Sequence, residues 1–130
     1  MKKLLSLVLV LTAFHLGVQA QMPKPQRAEI KTPTAVCEEC KNIIEAAIPK
    51  QVDGLIKINV NFKAKQTQVS WYPDRTNIEE IKTAIANAGF DADEITAEED
   101  SYKKLPPACK RAAEGGGPQK GKPCHLQPFE

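Results

Sequence analysis

Ile56, Ile58, Val60 and Phe62 alternate with Lys57, Asn59, Asn61 and Lys63, the period of two that marks a strand with one buried face. After a hairpin loop over 63–66, Thr67, Val69 and Trp71 continue the alternation on a partner strand, which Pro73-Asp74 breaks. Ala28 and Ile30 alternate with Glu29 and Lys31 and predict an earlier strand. Two stretches change to helical spacing. Over 38–48, Cys40, Ile43 or Ile44, and Ala47 share one face, with Pro49 as the expected stop and Asp53-Gly54 as a turn. From Thr76, three residues before Glu79 as in a capping box, Ile78, Ile81, Ile85 and Ala88 form a second stripe that Gly89 closes. A fourth strand is expected over 91–97, at an edge that tolerates Asp93 and Glu94. The order β-α-β-β-α-β predicts an α+β, ferredoxin-like sandwich, with two helices on one face of a four-stranded antiparallel sheet.

The ends differ from this centre. Residues 1–20 start with Lys2 and Lys3, run apolar from Leu4 to Leu11 apart from Ser6, and finish on Val18-Gln19-Ala20. This is the layout of a secretory signal peptide cleaved after Ala20, too short for a spanning helix. It implies a periplasmic or secreted mature protein with no stable membrane insertion. Residues 21–26 read as a flexible leader, 27–97 as the domain and 98–130 as a mostly disordered Pro/Gly-rich tail with one helical turn near 100–104.

Composition excludes some functions. The 130 residues carry 18 Lys+Arg against 16 Asp+Glu, and the +2 net charge disappears with Lys2 and Lys3 if the signal is removed. The basic residues of the tail lack interleaved aromatics, so no nucleic-acid surface is expected. No nucleotide loop, Ser-His-Asp set or paired acid cleft supports an enzyme, so no catalytic residue is assigned.

Chemistry concentrates at Cys37-Glu38-Glu39-Cys40, at the start of the first helix. Two intervening residues let both sulfurs converge on one ion, and a helix N-terminus favours the thiolate that binds metal. Three readings compete: a soft-metal site, a redox dithiol, and a local disulfide or inert thiols. The flanking Val36 and Lys41 and the small domain argue against a thioredoxin-type enzyme. Two thiolates suit Cu(I) or Hg(II), whereas Zn(II) prefers four ligands. A carboxylate from Glu38 or Glu39 would shift preference toward Zn(II), Cd(II) or Pb(II); otherwise these acids stabilise the helix end and face water. Cys109, Cys124 and His125 offer further soft ligands, to the main site or a separate one. The simpler expectation is a Cys109–Cys124 disulfide within the tail.

Residues 27–97 resemble the heavy-metal-associated domain family, which includes small copper carriers, metal-pump modules and exported mercury-binding proteins. The resemblance rests on Pro33, on Cys37 and Cys40, on the stretch from Val52-Asp53-Gly54 to Phe62, and on Ala86-Asn87-Ala88-Gly89-Phe90. Thr34 and Ala35 stand where the family usually has Gly-Met. The resemblance implies that Cys37 and Cys40 are the metal ligands, that Cu(I) is the first expectation with Hg(II) or Zn(II) as alternatives, and that Phe90 shields the loop. It further implies carriage rather than turnover. A partner thiolate would enter at an exposed loop, and the ion would pass to a membrane metal transporter or another metal-binding protein. The rival functions are a periplasmic thiol–disulfide protein and an accessory binding module that needs no metal.

Overall fold

The computed structural model describes residues 21–118 and Cys124; the expected signal peptide and His125 lie outside the described residues. Strand β1 spans Gln26–Lys31, helix α1 Glu38–Gln51, β2 Leu55–Asn61, β3 Gln66–Trp71 and helix α2 Ile78–Asn87. They form an antiparallel sheet of order β1-β3-β2, with Ile30 opposite Thr67 and Val60 opposite the same threonine from the other side. Alternation decides which face is buried. Ile30, Val60, Val69 and Trp71 turn inward and pack with Ile44 and Ile48 of α1 and Ile81 and Ile85 of α2. Glu29, Asn59 and Gln68 point to the opposite, solvated face, where the Gln68 amide donates to Glu29 at 2.9 Å.

Four local expectations are corrected. Ile56 is 45% exposed, because a register shift between Leu55 and Lys57 makes it the extra residue of a bulge and turns Leu55 toward the core instead. Helix α1 runs past Pro49 to Gln51. The proline falls in the last turn, where it removes one N–H, and the ladder resumes as the Val52 N–H donates to Ile48 O at 3.1 Å. The N-cap of α2 is Asn77 rather than Thr76: its side chain accepts from the Glu80 N–H at 2.9 Å, and the Thr76 hydroxyl donates to the Glu80 carboxylate at 2.7 Å.

The fourth strand does not form. Ala92 and Ile95 exchange backbone hydrogen bonds at 2.9 Å across Asp93-Glu94, with Asp93 at φ 51°, so this stretch folds on itself as a tight turn. Asp93 alone reaches the sheet: its N–H donates to Lys31 O at 2.9 Å and its carboxylate accepts from the Lys31 N–H at 2.8 Å. Lys82 holds the turn from α2, with Nζ 3.0 Å from Glu94 and 3.4 Å from Asp93. The described sheet therefore has three strands.

Residues 98–118 are structured, in contrast to the disordered tail expected there. Helix α3 spans Glu99–Lys104 and is followed by single 3-10 turns at Pro107–Cys109 and Ala112–Glu114. The Glu98 carboxylate accepts from the N–H groups of Asp100 at 3.1 Å and Ser101 at 2.7 Å, and these bonds hold its pKa below the usual carboxylate range. Gly89, at φ 96°, lets α3 come close: a Cβ there would stand 3.0 Å from the backbone of Ser101 and Tyr102. Tyr102, Leu105 and Cys109 join the core cluster, so this segment lies across the domain as a strap. Among the described residues, no helix is long and apolar enough to cross a membrane.

Candidate metal centre

The chain leaves β1 through Thr32, whose N–H donates to Lys65 O at 2.9 Å and whose hydroxyl lies 3.0 Å from that of Thr67. Thr34 and Ala35 are both buried beneath the loop. Cys37 is the N-cap of α1, in extended conformation, and its side chain makes no capping hydrogen bond. Cys40 follows within the first turn, so the two Sγ atoms converge to 3.3 Å. Glu38 and Glu39 occupy the same first turn, beside free N–H groups and the positive end of the helix dipole.

Two further cysteines lie at this point, Cys109 of the strap and Cys124. Cys109, at the end of its 3-10 turn, forms a disulfide with Cys40 across a Cα–Cα distance of 5.5 Å. Cys124 forms one with Cys37, with the Cα atoms 6.4 Å apart. The expected Cys109–Cys124 bond is therefore absent, and so is a local Cys37–Cys40 bond, one of the competing readings of that pair. Four cysteines permit three pairings, and only tertiary structure chooses among them. The sulfurs are also not exposed, as the expected open loop would have them. Cys40 and Cys109 have no accessible surface and Cys37 is 7% exposed. Phe90 is fully buried in the core cluster that includes these cysteines.

The sulfurs of Cys37, Cys40 and Cys109 all lie within 4.8 Å of one another, as do those of Cys37 and Cys124 with a Glu39 carboxylate oxygen. Glu39 Oε2 is 3.7 Å from Cys124 Sγ, so this glutamate faces the cluster while Glu38 is exposed to water. Every sulfur here is a soft donor once reduced, and the arrangement can serve either as a ligand set or as a pair of exchangeable disulfides.

A polar network fixes the strap independently of the disulfides. Arg111 forks onto Asp91 with hydrogen bonds of 2.7 and 3.0 Å and lies over the Tyr102 ring at 4.3 Å from its centroid. The Tyr102 hydroxyl accepts from the Arg111 N–H at 2.8 Å and donates to Glu114 at 2.8 Å. Hydrogen bonding to Arg111 holds the Asp91 carboxyl below the usual range. Tyr102, and then Arg111, do the same for Glu114. Sequence inspection missed this network; the one available signal was an arginine two residues beyond Cys109 in a segment otherwise read as solvated.

Comparison with known proteins agrees with this architecture. The model of the family described as the heavy-metal-associated domain matches residues 31–91. A mercuric transport protein periplasmic component of Shewanella putrefaciens is 28% identical over 81 residues, covering 62% of this chain and 88% of that protein. A copper-exporting P-type ATPase of Staphylococcus haemolyticus is 32% identical over 91 residues, which make up 70% of this chain but 11% of the ATPase. The crystal structure of oxidized MerP from Ralstonia metallidurans CH34 superposes with a TM-score of 0.50 at 28% identity, covering 53% of this chain and 94% of that one. Residues 31–91, which carry the Cys37–Cys40 pair at the head of the first helix, match the heavy-metal-associated domain, the family that the sequence resembles.

Proposed function

We propose that the protein binds and carries a soft metal ion through Cys37 and Cys40 and does not turn over a substrate. The observation that carries this reading is the convergence of the two Sγ atoms to 3.3 Å at a helix N-terminus, within a heavy-metal-associated domain. Two thiolates there gain from the dipole and from unpaired N–H groups, and two sulfur ligands match Cu(I) or Hg(II) better than Zn(II). Cu(I) is the first expectation for the cargo. Transfer proceeds by ligand exchange: a partner thiolate enters, a shared intermediate forms, and the original thiolates leave in turn. A membrane metal transporter or another metal-binding protein would be the partner. The export-signal pattern of residues 1–20 places this carriage outside the cytoplasm in the proposal.

Burial adds a requirement. Both sulfurs lie beneath the strap and are engaged in disulfides, so loading requires reduction first. Anaerobic titration of the reduced full chain with Cu(I) or Hg(II) should show stoichiometric uptake whose affinity Cys37→Ala and Cys40→Ala each lower strongly. An affinity unchanged by both substitutions together would falsify the assignment.

A second reading has its own support: every described cysteine is disulfide-bonded. On that reading the chain is a thiol–disulfide protein. It predicts catalysed insulin reduction and a reduction potential within the range of known oxidoreductases. Absence of exchange activity in the protein that binds metal would remove it.

A further inference from the structure

We propose that Cys109 is a third thiolate ligand, so that the reduced protein holds a thiophilic ion in a three-sulfur site made of Cys37, Cys40 and Cys109. This deepens the carriage reading and rests on it. The domain supplies two of the ligands and the strap supplies the third.

Geometry argues for the set. The three sulfurs lie within 4.8 Å of one another and all three residues are buried. Metal–sulfur bonds of about 2.3 Å put the corners of a trigonal site about 4 Å apart, and small outward movements of these sulfurs reach that spacing. Cys109 clusters with both Cys37 and Cys40, whereas Cys124 clusters with Cys37 and Glu39, and the backbone at Cys109 is held in place. Its N–H donates to Pro106 O at 2.9 Å, and the N–H of Gly117 closes the turn onto Pro107 O at 3.0 Å. Lys110 Nζ donates to Lys103 O at 2.9 Å, and Arg111 fastens the strap to Asp91. Tyr102 and Leu105 anchor it in the apolar core. None of these contacts requires a disulfide, so reduction leaves the Cys109 thiol beside the Cys37–Cys40 pair.

Opening the site needs a named reductant. Two equivalents of a dithiol each deliver two electrons and two protons, convert Cys40–Cys109 and Cys37–Cys124 to four thiols, and are themselves oxidised to disulfides. A divalent ion then replaces the three thiol protons of Cys37, Cys40 and Cys109, leaving one net negative charge beside the N-terminus of α1. That end of the helix dipole favours the anion. A third sulfur also explains why a buried, covered pair need not be a poor site: the cover itself is a ligand.

The test uses Hg(II) as probe on the full-length chain, reduced and kept anaerobic, with X-ray absorption counting sulfurs per mercury. Three sulfurs are expected for the wild type and for Cys124→Ser, and two for Cys109→Ser, with loss of the near-ultraviolet charge-transfer band of the three-coordinate form. Cys109→Ser should still take up one equivalent of Hg(II). Two sulfurs in the wild type would overturn the proposal while leaving carriage by Cys37 and Cys40 intact. A mercury affinity that Cys37→Ala and Cys40→Ala together leave unchanged would instead sink the carriage reading, and this inference with it. The wild-type sulfur count decides the matter even if Cys109→Ser does not fold.

Discussion

The sheet-and-helix core and the strap over 98–118 are built on opposite principles, although they meet at the same four sulfurs. The core buries Ile30, Ile44, Ile48, Ile81, Ile85 and Phe90 with no accessible surface, and its strands are joined by continuous backbone ladders. Its cohesion comes from apolar area removed from water, which neither a reductant nor mild acid alters. The strap contributes few large apolar side chains. It is held by the Cys40–Cys109 disulfide, a bidentate arginine and a tyrosine hydroxyl bonded on both sides. Each of those bonds responds to redox state or pH. A metal-binding pair covered in this way sits on a scaffold that stays folded, beneath a cover that chemistry can release.

The largest test strikes the core. Phe90→Ala removes a fully buried aromatic side chain and is expected to cost about 3–5 kcal/mol of global stability, read from chemical denaturation. The strap should be lost along with the core, because Tyr102 and Leu105 pack into the same cluster. A loss within about 0.5 kcal/mol would mean that the core does not depend on Phe90.

Reduction loosens the strap before it unfolds the core. Cys40 and Cys109 are 69 residues apart in sequence, and a cross-link of that span restricts the unfolded chain by about 4 kcal/mol in the chain-entropy account. Reduced protein should therefore unfold at lower denaturant. Before global unfolding, amide exchange over 99–118 should quicken while β1, β3 and α2 stay protected. Equal loss of protection in both regions would erase the distinction between scaffold and cover.

The same division governs what the sequence reveals. Ile58 and Val60, Thr67, Val69 and Trp71, and the Ile81–Ile85 stripe are readable because their burial follows a local period. Cys37 and Cys40 are readable as a pair because their spacing is local too. The bulge at Ile56 is not, since it depends on how β2 registers against β3. The missing fourth strand depends on Lys31 and Lys82 reaching Asp93 and Glu94 from other elements. The strap is the extreme case. Its polar, proline-containing composition matches that of a disordered tail, and its order comes from partners far away in the chain: Asp91 for Arg111 and Cys40 for Cys109. Composition reports how much apolar area a segment can bury, but not which distant side chain will bind it.

The smallest expected effect isolates the polar half of the strap's attachment. Asp91 and Glu114 both have carboxyl pKa values lowered in the folded state, Asp91 chiefly by Arg111 and Glu114 chiefly by the Tyr102 hydroxyl. A lowered folded value means that the carboxylates favour the docked strap above the ordinary carboxylate range, about pH 4–4.5. That contribution fades as the pH falls through the lower, folded values. In the oxidised protein the disulfides mask the loss, so the measurement belongs to the reduced chain. There, amide exchange over 99–118, corrected for its intrinsic pH dependence, should show the strap loosening as acid protonates Asp91 and Glu114. Asp91→Asn removes one of these charges and the ionic partner of Arg111. It should weaken docking at neutral pH by about 1.5–3 kcal/mol, the usual contribution of a hydrogen bond to a charged group, and flatten the acid response. If the variant and the parent open in parallel across the whole range, the Asp91–Arg111 pair contributes nothing to docking. The strap would then owe its place to Tyr102, Leu105 and the sulfur bonds alone.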